Sequence, residues 1–224
     1  MSVTVVVIAD GRVDYLERAM ESLRLLHGPV SARLIHDDSG DPEHAAWLWD
    51  TYGPAGWLVH STPQRSGFTE AVRSARWWIG EHDRNAYVWW HEQDFRLTRP
   101  IDLAAMCAVL DANPHLAQLA LRRQPWNDRE RAAGGVVEQY PGDFYEVHEG
   151  GRTWLEHRRW FTTNPSLLPR WVVTEHEWPA GAESEGRFGL GLFRDPVIRS
   201  GFWGARDSGE WCEHIGTHRA GMGY

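Results

Sequence analysis

The sequence predicts an α/β fold in which helices flank a mostly parallel sheet. Strand and helix patterns alternate through the first half of the chain, and this order is typical of right-handed β-α-β crossovers. The first strand pattern, VTVVVIA, is almost wholly β-branched, as expected for a strand covered on both faces. Acidic residues follow three of the strand patterns, at the edge where such sheets bind ligands.

The elements of the first half follow from local signals. Residues 13–26 place apolar side chains at helical spacing, and Gly28-Pro29 predicts the end of that helix. After the strand ARLIHDD, Asp41 predicts the cap of a second helix and Pro42 its first turn. GWLVHS then predicts a third strand, GFTEAVRSARWWIGEH a third helix and AYVWW a fourth strand.

The second half of the chain is less regular. After a fourth helix pattern, PIDLAAMCAVLDANP, the sequence becomes richer in Gly, Pro, Trp and Arg, with short strand patterns in LAQLAL and DFYEVHE. We find no internal repeat or long linker. We therefore predict a single domain over 1–224, with a regular half at 1–100 and an irregular α+β half at 101–224.

The composition and net charge argue against several classes of protein. The 224 residues are 42% hydrophobic and 24% charged, as in ordinary globular proteins. No apolar run approaches the ~20 residues of a membrane span, and MSVTVVVIAD lacks signal-peptide features, so we predict a cytoplasmic protein. The net charge of -8 argues against non-specific coating of nucleic acid. Cys107 and Cys212 are too few for a disulfide framework, which predicts reduced thiols.

The stretch YVWWHEQDF carries the main chemical signal. A strand that ends in Glu92-x-Asp94 places both carboxylates on one side if the chain stays extended, which suits Mn²⁺ or Mg²⁺ and therefore a diphosphate. Near the C-terminus, His214 and His218 are four residues apart, but the glycines around them disfavour a helical zinc site. We predict that one loop histidine joins the carboxylate pair.

Four segments, in this order and spacing, resemble a known family: VTVVVIADGRVDYLERAMESLR, ARLIHDDSGD, SGFTEAVRSARWWI and YVWWHEQDF. They are similar to the nucleotide-sugar half of GT-A fold glycosyltransferases, especially the family-2-like inverting enzymes. The resemblance covers the first half closely and the second half loosely. This chain has Ala9-Asp10 where the family usually has a Pro-Thr pair, and Glu92-Gln93-Asp94 where it has Asp-x-Asp.

The resemblance implies a donor site in the half at 1–100. Asp38 would accept a hydrogen bond from uracil, Asp94 would bind Mn²⁺ or Mg²⁺ bridging the phosphates, and His214 would be a third ligand. Glu92 would contact the ribose or metal-bound water, or serve as a metal ligand. The nucleotide-sugar-binding residues would be Ala9, Asp10, Asp38, Arg65, Gly67, Arg73 and Glu92.

The resemblance also implies an acceptor side in the half at 101–224. In the Gly-rich loop SEGRFGL, Glu185 would be the base of an inverting transfer, with Glu183 in reserve. Asn164-Pro165-Ser166 would start a helix near the acceptor. Arg and Trp residues interleave in this half, a pattern that suits phosphate contacts or packing on sugar rings. The acceptor residues would be Arg122, Trp126, Arg158 and Asn164.

Several alternatives stay open from the sequence. The acceptor could be a hydroxymethylated pyrimidine in DNA, a glycan, a lipid-linked sugar or a protein. A nucleotidyltransferase is disfavoured because the chain has no Lys to serve as its catalytic residue. A zinc hydrolase built on HEQD and the late histidines, or a catalytically inactive sugar-binding module, are the other hypotheses. The sequence leaves the sugar and the oligomeric state open.

Overall fold

A computed structural model describes residues 1–216 and has a nine-stranded sheet with helices on both faces. The first half alternates strands and helices as predicted. Its elements are β1 (Val3–Ala9), α1 (Val13–Ser22), β2 (Leu26–His27), β3 (Val30–Asp37), α2 (Pro42–Tyr52), β4 (Leu58–Ser61), α3 (Phe68–His82) and β5 (Tyr87–Glu92). The predicted cap of α2 is confirmed, because the Asp41 side chain accepts the backbone N–H of Glu43 at 2.9 Å.

The second half mixes short strands with short helices. Its elements are β6 (Phe95–Leu97), β7 (Ile101–Asp102), α4 (Leu103–Ala112), β8 (Leu116–Ala120), α5 (Asp128–Ala133), α6 (Val136–Gln139), β9 (Tyr145–Glu149), β10 (Arg152–His157), β11 (Ser166–Pro169), α7 (Arg170–Thr174), α8 (Ser184–Leu192), β12 (Arg199–Trp203) and β13 (Cys212–His214). Together the two halves form the predicted α/β fold.

The large sheet has the strand order β4-β3-β1-β5-β11-β8-β12-β10-β9. Strands β4, β3, β1 and β5 are parallel to one another, whereas β11 runs antiparallel to both β5 and β8. Ile8 of β1 pairs with His36 of β3 on one side and with Glu92 of β5 on the other. The carboxyl ends of these three strands therefore meet at one edge of the sheet.

The composition of β1 follows from its position inside the sheet. Every residue from Val3 to Ala9 is buried. Val5 and Val7 pack in the cluster that contains Leu16 of α1, whereas Val6 and Ile8 pack in a second cluster with Val72 of α3. A strand with apolar neighbours on both faces has no place for alternating polar residues, which explains the continuous β-branched run.

Two sequence-based expectations about where a helix begins or ends are wrong. The first helix ends at Ser22, and Leu26 instead pairs with Ile101 in a two-stranded sheet. The chain at 164–166 does not start a helix. It enters β11, where Leu167 and Leu168 are buried in separate clusters on the two faces of the sheet, and helix α7 begins only at Arg170.

Two further predictions concern the environment of the chain. Within residues 1–216, no helix combines the length and apolar character needed to cross a lipid bilayer. Cys107 and Cys212 are both buried free thiols. The cytoplasmic location stays a prediction.

His157 of β10 generates a prediction about acid stability. Its ring packs against Phe144 and Phe202, with ring centroids 4.9 Å away in each case, and burial lowers its pKa from 6.5 to about 3. Because His157 takes up a proton more readily in the unfolded chain, the folded state has its full stability above pH 6.5 and loses stability as the pH falls toward 3. The full loss from this one group is ~5 kcal/mol, and we expect His157→Phe to abolish it.

The measurement is urea unfolding of wild type and His157→Phe at a series of pH values. The matched control is His27→Phe, because His27 is exposed on β2 and its replacement should keep the wild-type slope. A His157→Phe protein with an unchanged dependence of unfolding free energy on pH would contradict the assignment.

Candidate active site

A cavity of about 390 Å³ lies at the edge where β1, β3 and β5 end. It brings together residues from both halves of the chain. The predicted site residues that line it are Asp10, Arg65, Gly67, Glu92, Asp94, Trp126, Asn164, Glu185 and His214. The predicted residues outside its lining are Ala9, Asp38, Arg73, Arg122, Arg158 and Glu183.

The turn after β5 is fixed by hydrogen bonds of two side chains, of His91, which does not line the cavity, and of Gln93, which does. His91 is buried, with its pKa lowered to about 4 by burial, and its Nε2–H donates to the Phe95 carbonyl at 3.0 Å. The Gln93 side chain faces β1, where its oxygen accepts the Asp10 N–H at 3.1 Å and its amide donates to the Asp10 carboxylate. The acids on either side of Gln93, Glu92 and Asp94, both line the cavity.

The side chains of Arg12 and His214 both approach one oxygen of Asp94, Oδ2. Arg12 Nη2 donates to it at 3.0 Å, and His214 Nε2 lies 3.7 Å from the same oxygen. Burial alone would raise the Asp94 pKa, but hydrogen bonding and charge from His214 and Arg12 outweigh it and lower the pKa. Burial and the charge of Asp94 instead raise the pKa of Glu92 well above its ordinary value.

His214 reaches Asp94 from the C-terminal strand. In β13 it pairs with Phe95 of β6, and its ring lies edge-on to Trp126 with a centroid distance of 4.4 Å. The Gln124 side chain fixes the backbone of His214 twice, since its oxygen accepts the His214 N–H at 2.9 Å and its amide donates to the His214 carbonyl at 2.8 Å. Nothing in the sequence distinguished Gln124. His218, the other histidine of the predicted pair, lies outside the described residues.

The side chains at this point fit a hard divalent ion. Glu92 Oε1, Asp94 Oδ1 and His214 Nδ1 are buried without a hydrogen-bond partner in the described part of the chain. A Cβ added at Gly216 would lie 2.9 Å from Asp94 Oδ2, so glycine keeps the space beside that oxygen open. Carboxylates plus one imidazole suit Mn²⁺ or Mg²⁺. In the geometry of residues 1–216, however, no three such groups are gathered at ligand spacing.

Glu185 lies in the first turn of α8, so the predicted Gly-rich loop is in fact a helix. The segment is helical because Phe188 and Leu192 are buried, and Gly189 allows close packing, since a Cβ there would lie 2.9 Å from the Phe161 backbone nitrogen. Glu185 Oε1 accepts the backbone N–H of Thr163 at 2.8 Å. Burial raises the pKa of Glu185, although hydrogen bonds from Thr163 and its neighbour oppose the shift.

Glu183 occupies a different position from Glu185. It precedes the first residue of α8, is exposed, and has a left-handed backbone with a φ of 55°. Sequence reasoning could not separate these two acids, because they are only two residues apart in a stretch that gives no clear helix signal.

Asp38 has a structural role that the sequence did not reveal. Its buried carboxylate accepts the backbone N–H groups of Ser66 and Gly67, at 3.1 and 2.7 Å, and hydroxyls of Thr62 and Ser66. These contacts hold the loop that precedes α3. The same loop carries Arg65 to the cavity, where its Nη2 donates to Asp10 at 2.8 Å. The structure thus places Asp38 behind the cavity wall and not in it.

The predicted acceptor arginines are engaged with the protein backbone. Arg122 is buried and donates to the carbonyls of Ala205 and Arg206, at 2.6 and 2.8 Å. Arg158 is exposed and donates to backbone carbonyls just after α8. Arg73, a predicted nucleotide-sugar-binding residue, pairs with Glu70 on its own helix. None of these three arginines lines the cavity, and their ligand-binding roles stay predictions.

Two other arginines line the cavity, Arg12 and Arg123. Arg123 forms an ion pair with Glu130 at 2.8 Å, and its guanidinium lies over the Trp126 ring at 5.6 Å. Arg123 directly follows Arg122 in the chain, so the sequence could indicate the basic segment but not which of the two side chains faces the cavity.

The role of Asp38 can be tested by stability. Asp38→Ala would leave the Ser66 and Gly67 donors without their acceptor, and we expect the free energy of unfolding to fall by ~2–4 kcal/mol in urea titrations. Asp41→Ala is the control, because loss of that exposed helix cap should cost only about 1 kcal/mol. An Asp38→Ala protein as stable as wild type, but unable to bind nucleotide, would instead support the direct uracil contact.

Solved structures of other proteins have a similar fold. No protein-family model matches the sequence, and no curated protein matches it. Among solved structures, residues 1–349 of S. aureus TarS superpose with a TM-score of 0.64 and 15% identity, over 95% of this chain and 60% of that one, and the same fragment is also known in complex with UDP. The mannosyltransferase PcManGT from Pyrobaculum calidifontis, in complex with GDP-Man and Mn²⁺, gives 0.64 and 14%, over 97% and 58%.

The chain has a GT-A-like glycosyltransferase fold, which confirms the prediction of fold and resemblance. It spans about 60% of the length of the similar structures. Identities of 15% and 14% establish the fold alone.

Proposed function

We propose that the protein is a metal-dependent glycosyltransferase that moves a sugar from a nucleotide-sugar to a hydroxyl acceptor with inversion. The observation that carries this proposal is the convergence of Asp94, His214 and Glu185 on one cavity at the carboxyl edge of the parallel strands. A Mn²⁺ or Mg²⁺ ligand set and a separate carboxylate base are the two components that such a transfer requires.

The donor we propose is a UDP-sugar. One of the similar structures holds UDP, and another holds GDP-Man with Mn²⁺, so GDP-sugars are the natural comparison. Asp94 and His214 would hold the ion, with Glu92 beside them. Bound there, the ion stabilises the negative charge that develops on the departing diphosphate. Arg12, Arg65 and Arg123 line the same cavity and can bind phosphate oxygens.

Glu185 is the base in this proposal. The Thr163 N–H fixes one of its oxygens, and the raised pKa makes the carboxylate a better proton acceptor. The carboxylate takes the proton of the acceptor hydroxyl as that oxygen attacks the sugar carbon and the nucleoside diphosphate leaves. Activity should therefore fall as the pH drops through the raised pKa of Glu185.

The test compares two glutamates in one short segment. We expect Glu185→Gln to bind donor normally but to transfer sugar ~100-fold or more slowly, because the amide cannot accept the proton. Glu183→Gln is the matched control and should retain activity, because Glu183 does not line the cavity. The rate of sugar transfer is measured as the release of nucleoside diphosphate. The donors are a panel of UDP- and GDP-sugars, each supplied with Mn²⁺ or Zn²⁺.

Three outcomes would count against the assignment. Equal rates for Glu185→Gln and wild type would remove Glu185 as the base. Turnover that needs Zn²⁺ and consumes a substrate without a nucleotide would support the zinc-hydrolase alternative, and donor binding without any turnover would support a sugar-binding module.

For the acceptor, the structure favours a glycan-type hydroxyl over a hydroxymethylated pyrimidine in DNA. The two arginines predicted at the acceptor side, Arg122 and Arg158, are bonded to backbone carbonyls. DNA binding needs several basic side chains that are available to phosphates. Trp126 and Asn164, which line the cavity, offer a ring face and an amide that suit a sugar. Lipid-linked sugars and glycosylated proteins present the same chemistry.

Salt dependence distinguishes these acceptors. With a glycan acceptor, we expect the transfer rate to change less than about twofold between ~50 and ~200 mM NaCl. A hydroxymethylated DNA duplex held by many phosphate contacts would lose about 10³-fold or more in affinity over that range. Efficient, strongly salt-sensitive transfer to such a duplex, with none to simple sugars, would reverse the preference.

A further inference from the structure

Arg12 connects the donor half to the proposed metal ligands. It directly precedes α1, and its guanidinium donates to Asp10 Oδ1 at 2.8 Å and to Asp94 Oδ2 at 3.0 Å. It also lies over the Tyr15 ring at 4.8 Å. About a quarter of the side chain is exposed, at 26%, so the guanidinium can change partners at modest cost. Nothing in the sequence had marked this residue.

The contact with Asp94 involves the oxygen nearest to His214. Asp94 Oδ2 lies 3.7 Å from His214 Nε2, and Asp94 Oδ1 has no hydrogen-bond partner in the described part of the chain. An ion held by Asp94 and His214 would therefore share the Asp94 carboxylate with Arg12, which donates to Oδ2. A divalent cation and a guanidinium on one carboxylate compete for its charge and repel each other. Arg12 and the metal are therefore alternatives at this carboxylate.

The other partner of Arg12 does not depend on it. The second oxygen of Asp10 accepts Arg65 Nη2 at 2.8 Å, and Gln93 also donates to this carboxylate. Asp10 therefore keeps a cation and an amide donor if Arg12 moves. A guanidinium released into a cavity that binds a diphosphate has a matching partner, because its planar donors bind two phosphate oxygens at once.

We propose that Arg12 is an exchange residue: it neutralises Asp94 in the donor-free protein and transfers to the donor diphosphate when metal and nucleotide-sugar bind. This rests on the proposed function and adds to it. Because Arg12 opposes the ion alone but contacts the bound donor, metal and donor each strengthen the binding of the other. The protein would hold metal weakly until a nucleotide-sugar arrives.

Removal of the Arg12 charge should change the affinities for Mn²⁺ and for UDP in opposite directions. Without nucleotide, Arg12→Met should bind Mn²⁺ about five- to tenfold more tightly than wild type, because the competing cation is gone. At saturating Mn²⁺, the same variant should bind UDP about tenfold or more weakly, because a phosphate contact is lost. Mn²⁺ binding is read from the loss of the free-ion paramagnetic resonance signal, and UDP binding from calorimetry.

Controls separate this exchange from a general effect. Arg24→Met removes an exposed arginine just after α1 and should leave both affinities unchanged, since its side chain is 75% exposed and pairs only weakly, with Glu21 at 3.8 Å. Arg12→Gln removes the charge while keeping a polar side chain, and it should shift both affinities in the same directions if Arg12→Met is unstable.

The outcomes distinguish this inference from the proposed function. Equal or weaker Mn²⁺ binding by the neutral Arg12 variants, with wild type binding Mn²⁺ and UDP, would overturn the exchange and leave the metal-dependent transferase intact. Failure of every protein to bind Mn²⁺, with or without UDP, would overturn both.

Discussion

The candidate site depends on the contact between Gln93 and the end of β1. The Gln93 N–H donates to the Ile8 carbonyl at 3.0 Å, and its side chain exchanges hydrogen bonds with Asp10. Gln93 is almost fully buried, so its amide must be satisfied inside the protein, and β1 supplies the partners. Gln93 lines the cavity together with Glu92 and Asp94, and its bonds to the end of β1 fix the turn that carries both acids. The glutamine of the acid-x-acid motif thus joins two strands.

The second half completes the site by placing groups opposite these acids. Strand β11 inserts antiparallel between β5 and β8, and the chain just before it carries Thr163 to Glu185 of α8. At the other end of the cavity, β13 pairs with β6 and brings His214 to Asp94. The chemistry proposed here therefore needs contacts between residues more than 100 positions apart, such as Asp94 and His214.

Sequence analysis could predict the fold because its signals are local and redundant. The β-branched β1, the Asp41-Pro42 helix start and the alternation of elements all follow from neighbouring residues. The sequence also pointed to Glu92 and Asp94 as a pair, but on an extended chain, whereas β5 ends at Glu92 and Asp94 lies in the turn that follows, so their common place at the cavity depends on that turn. Asp38 shows the limit. A carboxylate after a strand looks the same in sequence whether it faces a ligand or, as here, the N–H groups of a loop 28 residues away.

The proposed transfer depends on Asp94, because a metal ion held there would make nucleotide binding metal-dependent. The most direct test is calorimetric titration of UDP into wild type and Asp94→Ala, each with Mn²⁺ and with a chelator. We expect a binding heat for wild type with Mn²⁺ that disappears with chelator and in the variant. UDP binding that survives both the chelator and the substitution, or no binding of UDP or GDP under any condition, would contradict it.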